Sequence, residues 1–241
     1  MTAQPCPHHP DGCPGGQSRA GGRPVSPVAR RVLGAEEVFA HALRGEPCHL
    51  AIGGTDQRVA LPVVDWTRDT DDSDELLLGW CVGPTIDIGC GPGRMVTELA
   101  ARGHLSLGID VVPEAVRQTR LRGGAAMRRD VFERVPGEGR WQTALLADGN
   151  VGIGGDPVAL LARVRRMLRP GGRIVVETAA PGSASRSFDA RLECACAASD
   201  AFGWAIVSIE DLPDMAADAG LREERRRTAE GRWAAVLTEA A

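Results

Sequence analysis

The sequence predicts an α/β fold: a doubly wound, mostly parallel seven-stranded sheet with an antiparallel C-terminal strand, plus a small N-terminal helix and hairpin cap. Three observations carry this. From Pro84 onward, short apolar runs alternate with helical patterns at intervals of roughly 20 residues, as βαβ units do. Within that region Pro84-Thr85-Ile86-Asp87-Ile88-Gly89-Cys90-Gly91-Pro92-Gly93-Arg94 passes from apolar alternation into glycines at every second position. Strand, tight glycine loop and helix in that order let a backbone approach a nucleotide-like ligand. Finally, a helix followed by a hairpin closes the chain and gives a parallel sheet an antiparallel edge.

The elements follow in order. Residues 1–27 are rich in Pro, Gly and His and read as a disordered tail. Residues 28–80 read as a cap. Val28 to Arg44 has helical spacing through Val32, Val38, Phe39 and Leu43, closed by Gly45. His49–Ile52 and Arg58–Val64 flank Gly53-Gly54-Thr55-Asp56-Gln57 as a hairpin, and Pro62 makes its second strand an edge. Asp71–Trp80 reads as a helix whose first-turn acids suit the dipole.

Residues 81–241 form the main domain. Strands are expected at Thr85–Ile88, Leu105–Ile109, Ala126–Arg128, Thr143–Ala147 and Arg173–Thr178. Helices are expected at Met95–Arg102, Pro113–Arg122 and Pro157–Leu168, the last stopped by Arg169-Pro170-Gly171-Gly172. Ala179 to Gly203 is small and polar with some strand character. Ser208-Ile209-Glu210-Asp211 opens a helix with a start like a capping box, and Leu221–Thr228 and Arg232–Thr238 are the closing strands.

Composition removes several functions. All 28 basic residues are Arg, and neither Lys nor Tyr is present. That excludes a Schiff-base lysine, a P-loop and a phenolic general acid. A net charge of -4 speaks against general nucleic-acid binding. No apolar run approaches the ~18 residues of a membrane span, and no signal-peptide layout opens the chain, so a cytoplasmic location is expected. Seven cysteines make an odd count without a framework. Cys6-Pro7-His8-His9 and Cys13 could offer four zinc ligands, but nothing apolar braces them, and no metal is expected. Cys194 and Cys196 alternate as in a strand and are expected to pack inside on one face.

The glycine loop does not by itself name its ligand. A dinucleotide loop wants a third glycine where this chain has Arg94. Four acids mark successive strands: Asp87 within the first, Asp110 at the end of the second, and Asp130 and Asp148 just beyond the third and fourth. Carboxylates converging on one crevice repel a pyrophosphate. They suit a ligand bearing a cation, an ammonium, a ribose diol and an exocyclic amine. S-adenosylmethionine carries all four groups.

On these motifs the chain, over roughly Thr85 to Thr238, resembles the class I S-adenosylmethionine-dependent methyltransferases, whose fold is Rossmann-like. The resemblance implies that Asp87 holds the methionine ammonium, usually through water, and that Gly89, Cys90, Gly91, Pro92 and Gly93 line the methionine portion. It implies Asp110 on the ribose hydroxyls, Val111 against adenine, and Asp130 with Val131 at the adenine edge. Asp148 and Gly149 fall where the family's fourth motif flanks the reacting methyl, with Asn150 beside them. Asp148-Gly149-Asn150-Val151 is not the motif of amino-methylating nucleic-acid enzymes, which favours a small-molecule acceptor, with O, N or C left open. No catalytic base or oligomeric state is assigned. His104 is expected at the wrong end of the sheet, and His49 on the hairpin is a candidate lid residue. The alternatives are an NAD(P)-binding oxidoreductase and a non-catalytic partner protein of the same fold.

Overall fold

Two sheets organise the chain. The computed structural model describes residues 31–240, so the expected tail and the Cys6–Cys13 segment lie outside the described residues. The cap begins with β1 (Arg31–Leu33), α1 (Ala35–Leu43), β2 (Cys48–Ile52), β3 (Arg58–Ala60) and α2 (Val63–Thr67). A 3-10 turn, Asp72–Asp74, and the single turn α3 (Glu75–Leu78) lead into the main domain. There follow β4 (Thr85–Ile88), α4 (Arg94–Ala101), β5 (Ser106–Asp110), α5 (Pro113–Leu121), β6 (Ala126–Arg128), β7 (Trp141–Leu146), α6 (Pro157–Arg165) and β8 (Leu168–Thr178). Last come β9 (Arg186–Cys194), β10 (Ala197–Ser199), β11 (Phe202–Ile206), α7 (Leu212–Asp218), β12 (Leu221–Ala229) and β13 (Arg232–Glu239).

The larger sheet has the order β12-β13-β8-β7-β4-β5-β6. Strands β4 to β8 are parallel, and β13 runs against both β8 and β12. Period-two alternation sends its side chains to two faces. Ile86, Ile88, Ala144, Leu146, Ile174, Val176 and Leu237 join Leu160, Leu161 and Val164 of α6 and Leu212 and Ala216 of α7. Leu145, Val175, Ala234 and Val236 join Leu76, Leu77 and Leu78 of α3 and Met95 and Leu99 of α4. Asp87 alternates with Ile86 and Ile88, so it stands on the face that α4 covers, 2% exposed.

The smaller sheet, β1-β10-β9-β2-β3 with β11 also on β9, caps the first. The hairpin β2–β3 forms as expected, with β3 at the sheet edge. Three local expectations change. Arg31–Leu33 is a strand rather than the first turn of the helix, because Ala197–Ser199 offers it a parallel partner. The helix starts only after Gly34, whose N–H is capped by Glu37. Pro62 ends β3 early and heads α2 instead. Asp71–Trp80 is a 3-10 turn followed by four helical residues.

Strands β9, β10 and β11 complete the sheet that β1, β2 and β3 of the 28–80 segment begin. It docks beside the strand ends. Ala40 and Leu43 of α1 pack on Val112 and Ala115, and Gln118 donates to the Leu43 carbonyl at 2.9 Å. On the other side Trp204 of β11 bridges to Ile153. Gly152, Gly155 and Gly203 permit that approach: a Cβ on Gly152 would lie 1.9 Å from the Ala205 carbonyl oxygen. The glycine-rich loop after β7 is therefore a docking seam for the cap. No helix among the described residues is long and apolar enough to cross a membrane.

Candidate active site

Gly89–Gly93 connects β4 to α4 at the carboxyl edge of the parallel strands, where such sheets bind ligands. Gly89, Gly91 and Gly93 take φ of 68°, 53° and 86°, in the left-handed region that favours glycine. Their surroundings differ. A Cβ on Gly93 would sit 2.5 Å from the Thr119 methyl, and one on Gly89 2.8 Å from the Asn150 amide nitrogen. A Cβ on Gly91 would meet nothing within 4 Å. The outer glycines let the loop pack on protein; the middle one faces open space, as does Gly149 across the crevice.

Neighbouring groups hold the loop in shape. Gly89 and Cys90 donate their N–H groups to the Ile109 carbonyl at 2.9 and 3.1 Å. Thr119 donates to the Gly91 carbonyl at 2.8 Å. Asn150 donates to the Ile88 and Gly89 carbonyls at 2.9 and 3.0 Å. The chain's one Asn thus acts as a clamp on the loop. Asp110, at the end of β5, accepts from Gly91 N–H at 2.9 Å with one oxygen and from Val112 N–H at 2.8 Å with the other. Each oxygen keeps a further lone pair. Burial pushes the Asp110 carboxyl up, against the pull of the Val112 and Gly91 N–H groups.

Below the loop lies a charge network that sequence reasoning missed. Arg94, 5% exposed, forks onto both Asp148 oxygens at 2.8 Å and pairs with Asp74 through its other terminal nitrogen. Asp74 is fully buried and also takes Arg68 and Arg232, each at 2.8 Å. Arg232 in turn grips Glu177 at 2.7 and 2.9 Å, and Glu177 accepts the Asp148 N–H at 2.8 Å. Burial opposes the Asp74 charge, but the hydrogen bonds from Arg94, Arg232 and Arg68 win and hold the carboxyl well below its ordinary range. Asp148 carries φ of 52°, unusual for a residue with a Cβ and a mark of strain held by surrounding bonds.

In the buried part of this network three arginines meet three carboxylates, and Arg68 also meets the exposed Asp71 at 3.0 Å. Asp87 and Asp110 are the formal excess. Burial, reinforced by the charge on Asp148, pushes the Asp87 carboxyl up to about 7, despite Arg94. The crevice is therefore poised for a cation.

The other expected residues separate into two groups. Val111 is 43% exposed beside Asp110. Asp130 is exposed, and its carboxylate accepts the Phe132 N–H at 2.9 Å, closing its own turn. Pro92 is buried in the loop. Val131 points elsewhere, into the core with α6, and the Cys90 thiol packs against Val116 and Ala126 under α5. Only the backbone of Cys90 belongs to the loop's ligand side. His104 sits next to the Gly83 carbonyl at 3.3 Å, at the far end of β4, as expected. Two surface clefts of about 390 and 370 Å³ run along α5, and the glycine loop lines neither.

A parallel sheet with one reversed strand, a glycine loop after β4 and a carboxylate at the end of the neighbouring β5 agree with the resemblance to the class I methyltransferases. Residues 86–172 match the family described as a methyltransferase domain. A probable cobalt-precorrin-6B C(15)-methyltransferase from Methanothermobacter thermautotrophicus is 30% identical over 95 residues, 38% of this chain and 50% of the relative. The chain thus spans half the length of that curated relative. Among solved structures, a methyltransferase from Bacteroides fragilis in complex with S-adenosylhomocysteine superposes with a TM-score of 0.70 at 22% identity, covering 87% of this chain and 98% of that one. The 1,6-didemethyltoxoflavin N1-methyltransferase of Burkholderia thailandensis gives 0.57 at 17% identity, over 90% and 95%. At those identities the likeness is one of fold.

Proposed function

We propose that the protein is an S-adenosylmethionine-dependent methyltransferase acting on a small molecule. The observation that carries this reading is Asp110 accepting the N–H of Gly91, whose Cβ side is open, with a second buried carboxylate, Asp87, near enough to feel its charge. Asp110 has acceptor capacity for a ribose diol, the Gly91 backbone admits close approach, and Asp87 supplies charge beneath for an ammonium. Val111, exposed beside Asp110, offers an apolar surface to an adenine, and Asp130 keeps one oxygen free of its turn for an exocyclic amine. Bound there, S-adenosylmethionine would supply an electrophilic methyl group on a sulfonium leaving group.

The chain's own contribution is then positioning and exclusion of water. Arg94 orients Asp148 at the strand end, Asn150 fixes the loop, and the cap sheet with β11 covers the acceptor side. No base is assigned: Asn150 is committed as a donor and Asp148 to Arg94. The small-molecule reading draws support from the acceptor in the Burkholderia enzyme's name and from the acidic net charge.

Isothermal titration tests the reading. S-adenosylmethionine and S-adenosylhomocysteine are expected to bind the wild type, and Asp110→Ala is expected to weaken both by at least tenfold. Binding of NAD(P) instead, or undiminished affinity in Asp110→Ala, would refute it.

A further inference from the structure

Outside the crevice, five residues with metal-ligand or thiol chemistry meet on the cap. His41 lies in the last turn of α1, Glu46 in the loop after it, and Cys48 at the start of β2. Cys194 ends β9, and Cys196 follows in the bend before β10. His41 Nδ1 is 2.7 Å from Glu46 Oε1. Cys196 Sγ is 3.6 Å from Glu46 Oε2 and 3.4 Å from Cys194 Sγ. One ligand atom each from His41, Glu46 and Cys196 lie within 4.8 Å of one another. Cys48 and Cys194 are register partners, so the Cys48 thiol lies alongside. The expectation that Cys194 and Cys196 are both buried fails: Cys194 is buried but Cys196 is exposed in its bend.

The two spacings that involve sulfur approach those of a tetrahedral site. With Zn–S near 2.3 Å and Zn–N or Zn–O near 2.0–2.1 Å, tetrahedral edges are about 3.8 Å between two sulfurs and about 3.6 Å between sulfur and oxygen. The two sulfur edges here are 3.4 and 3.6 Å. To admit an ion the His41–Glu46 hydrogen bond has to open by about 0.6 Å and the two sulfurs by about 0.4 Å, and Cys194, which stands outside the trio of mutually close ligand atoms, has to turn its thiol toward His41 and Glu46. Two sulfurs with one nitrogen and one oxygen suit zinc better than a hard cation.

We propose that His41, Glu46, Cys194 and Cys196 bind a single zinc ion. All four positions are filled by protein, which makes the site structural rather than catalytic. Binding releases the two thiol protons to solvent. The ion ties α1 and its following loop to the β9–β10 bend, two parts of the cap more than a hundred residues apart in sequence. It also anchors β1, because Arg31 donates its N–H to the Cys196 carbonyl at 3.3 Å. The small apolar cluster that otherwise holds this sheet, centred on Val38, Ala42 and Leu192, gains a fixed point.

The test uses the full chain without a polyhistidine tag, expressed with added zinc and purified under reducing conditions. Elemental analysis is expected to find equimolar zinc. The variant Cys194→Ser with Cys196→Ser is expected to lose it. Because Cys194 is buried, Cys196→Ser alone is loaded with cobalt(II) as a second measure. Its thiolate-to-cobalt charge-transfer absorption is expected to fall by about half, with far-ultraviolet circular dichroism unchanged. Cys6→Ser with Cys13→Ser controls for the N-terminal cysteines and is expected to keep the metal. Metal-free protein after zinc incubation, zinc retained by the Cys194/Cys196 variant, or zinc lost from the Cys6/Cys13 variant would each overturn the proposal.

Discussion

Replacing Asp87 by Asn should move stability and cofactor affinity in opposite directions. The Asp87 carboxyl sits at about 7, against an ordinary 3.8. At low pH both folded and unfolded chains carry the proton. As pH rises from about 4 to 7 the unfolded chain releases it first, so stability falls across that window and then levels off. The difference of about 3 pH units corresponds to about 4 kcal/mol of stability withheld by the charged group above pH 7. An amide removes that charge but surrenders an acceptor oxygen, which returns about 2 kcal/mol. Asp87→Asn is therefore expected to gain about 2 kcal/mol at pH 8, or about 4–8 °C in Tm for a domain of this size. The gain should vanish at pH 5, where Asp87 is already neutral. At pH 8 the same variant should bind S-adenosylmethionine about 10–100-fold more weakly, because the ammonium loses a charge-assisted partner. Scanning calorimetry at the two pH values and titration at pH 8 decide it. A Tm shift independent of pH would refute the buried-charge argument, and unchanged affinity would refute the ammonium role.

Two further substitutions separate packing from binding in the glycine loop. Gly93→Ala places a Cβ against Thr119 at a left-handed φ and should cost about 2 kcal/mol or more in a denaturant titration. Gly91→Ala has no neighbour to strike and should cost only about 1 kcal/mol, yet lose most cofactor affinity because its methyl occupies the open side. The Asp74 carboxyl is held below its ordinary range, so its contribution is present above about pH 4 and lost as pH falls through the folded value. Asp74→Asn should flatten that acid limb and destabilise by about 3–5 kcal/mol at pH 7, because Arg94 is left buried without a full partner.

The larger sheet was legible because burial on both faces writes short apolar runs such as Ala144-Leu145-Leu146 in β7 and Ile174-Val175-Val176 in β8, and three of the four parallel crossovers from β4 to β8 carry a helix. Every strand from β4 to β8 overlaps its expected range, and so do β12 and β13. The cap was harder. Phe188, Ala190, Leu192 and Cys194 do alternate through β9, but the partners of that strand lie in β2 and β10, and short edge pairings take their register from distant chain. Within the site, motif positions fixed the backbone and left side-chain direction open. Cys90 and Val131 belong to the matched motifs, yet their side chains serve the interior. Asp74 and Glu177 carried only weak signals: a first-turn acid and one charge closing the run Ile174-Val175-Val176-Glu177. Their significance depends on arginines up to 158 residues away in sequence.

The same network decides between ligands that the glycine loop alone cannot separate. Had Arg94 and Arg232 faced the loop without partners, the crevice would carry two spare cations and suit a pyrophosphate. Instead Asp74, Asp148 and Glu177 consume them. What remains is Asp87 beneath the loop and Asp110 at its rim. At an effective dielectric near 20, a charge about 6 Å from a carboxylate interacts by about 3 kcal/mol. Two such carboxylates disfavour each phosphate charge and favour an ammonium or sulfonium by that amount apiece. Asp110 strengthens the choice because its hydrogen bond to Gly91 fixes it where the loop is open. The specificity of the crevice thus rests as much on how its arginines are occupied as on the loop they lie beneath.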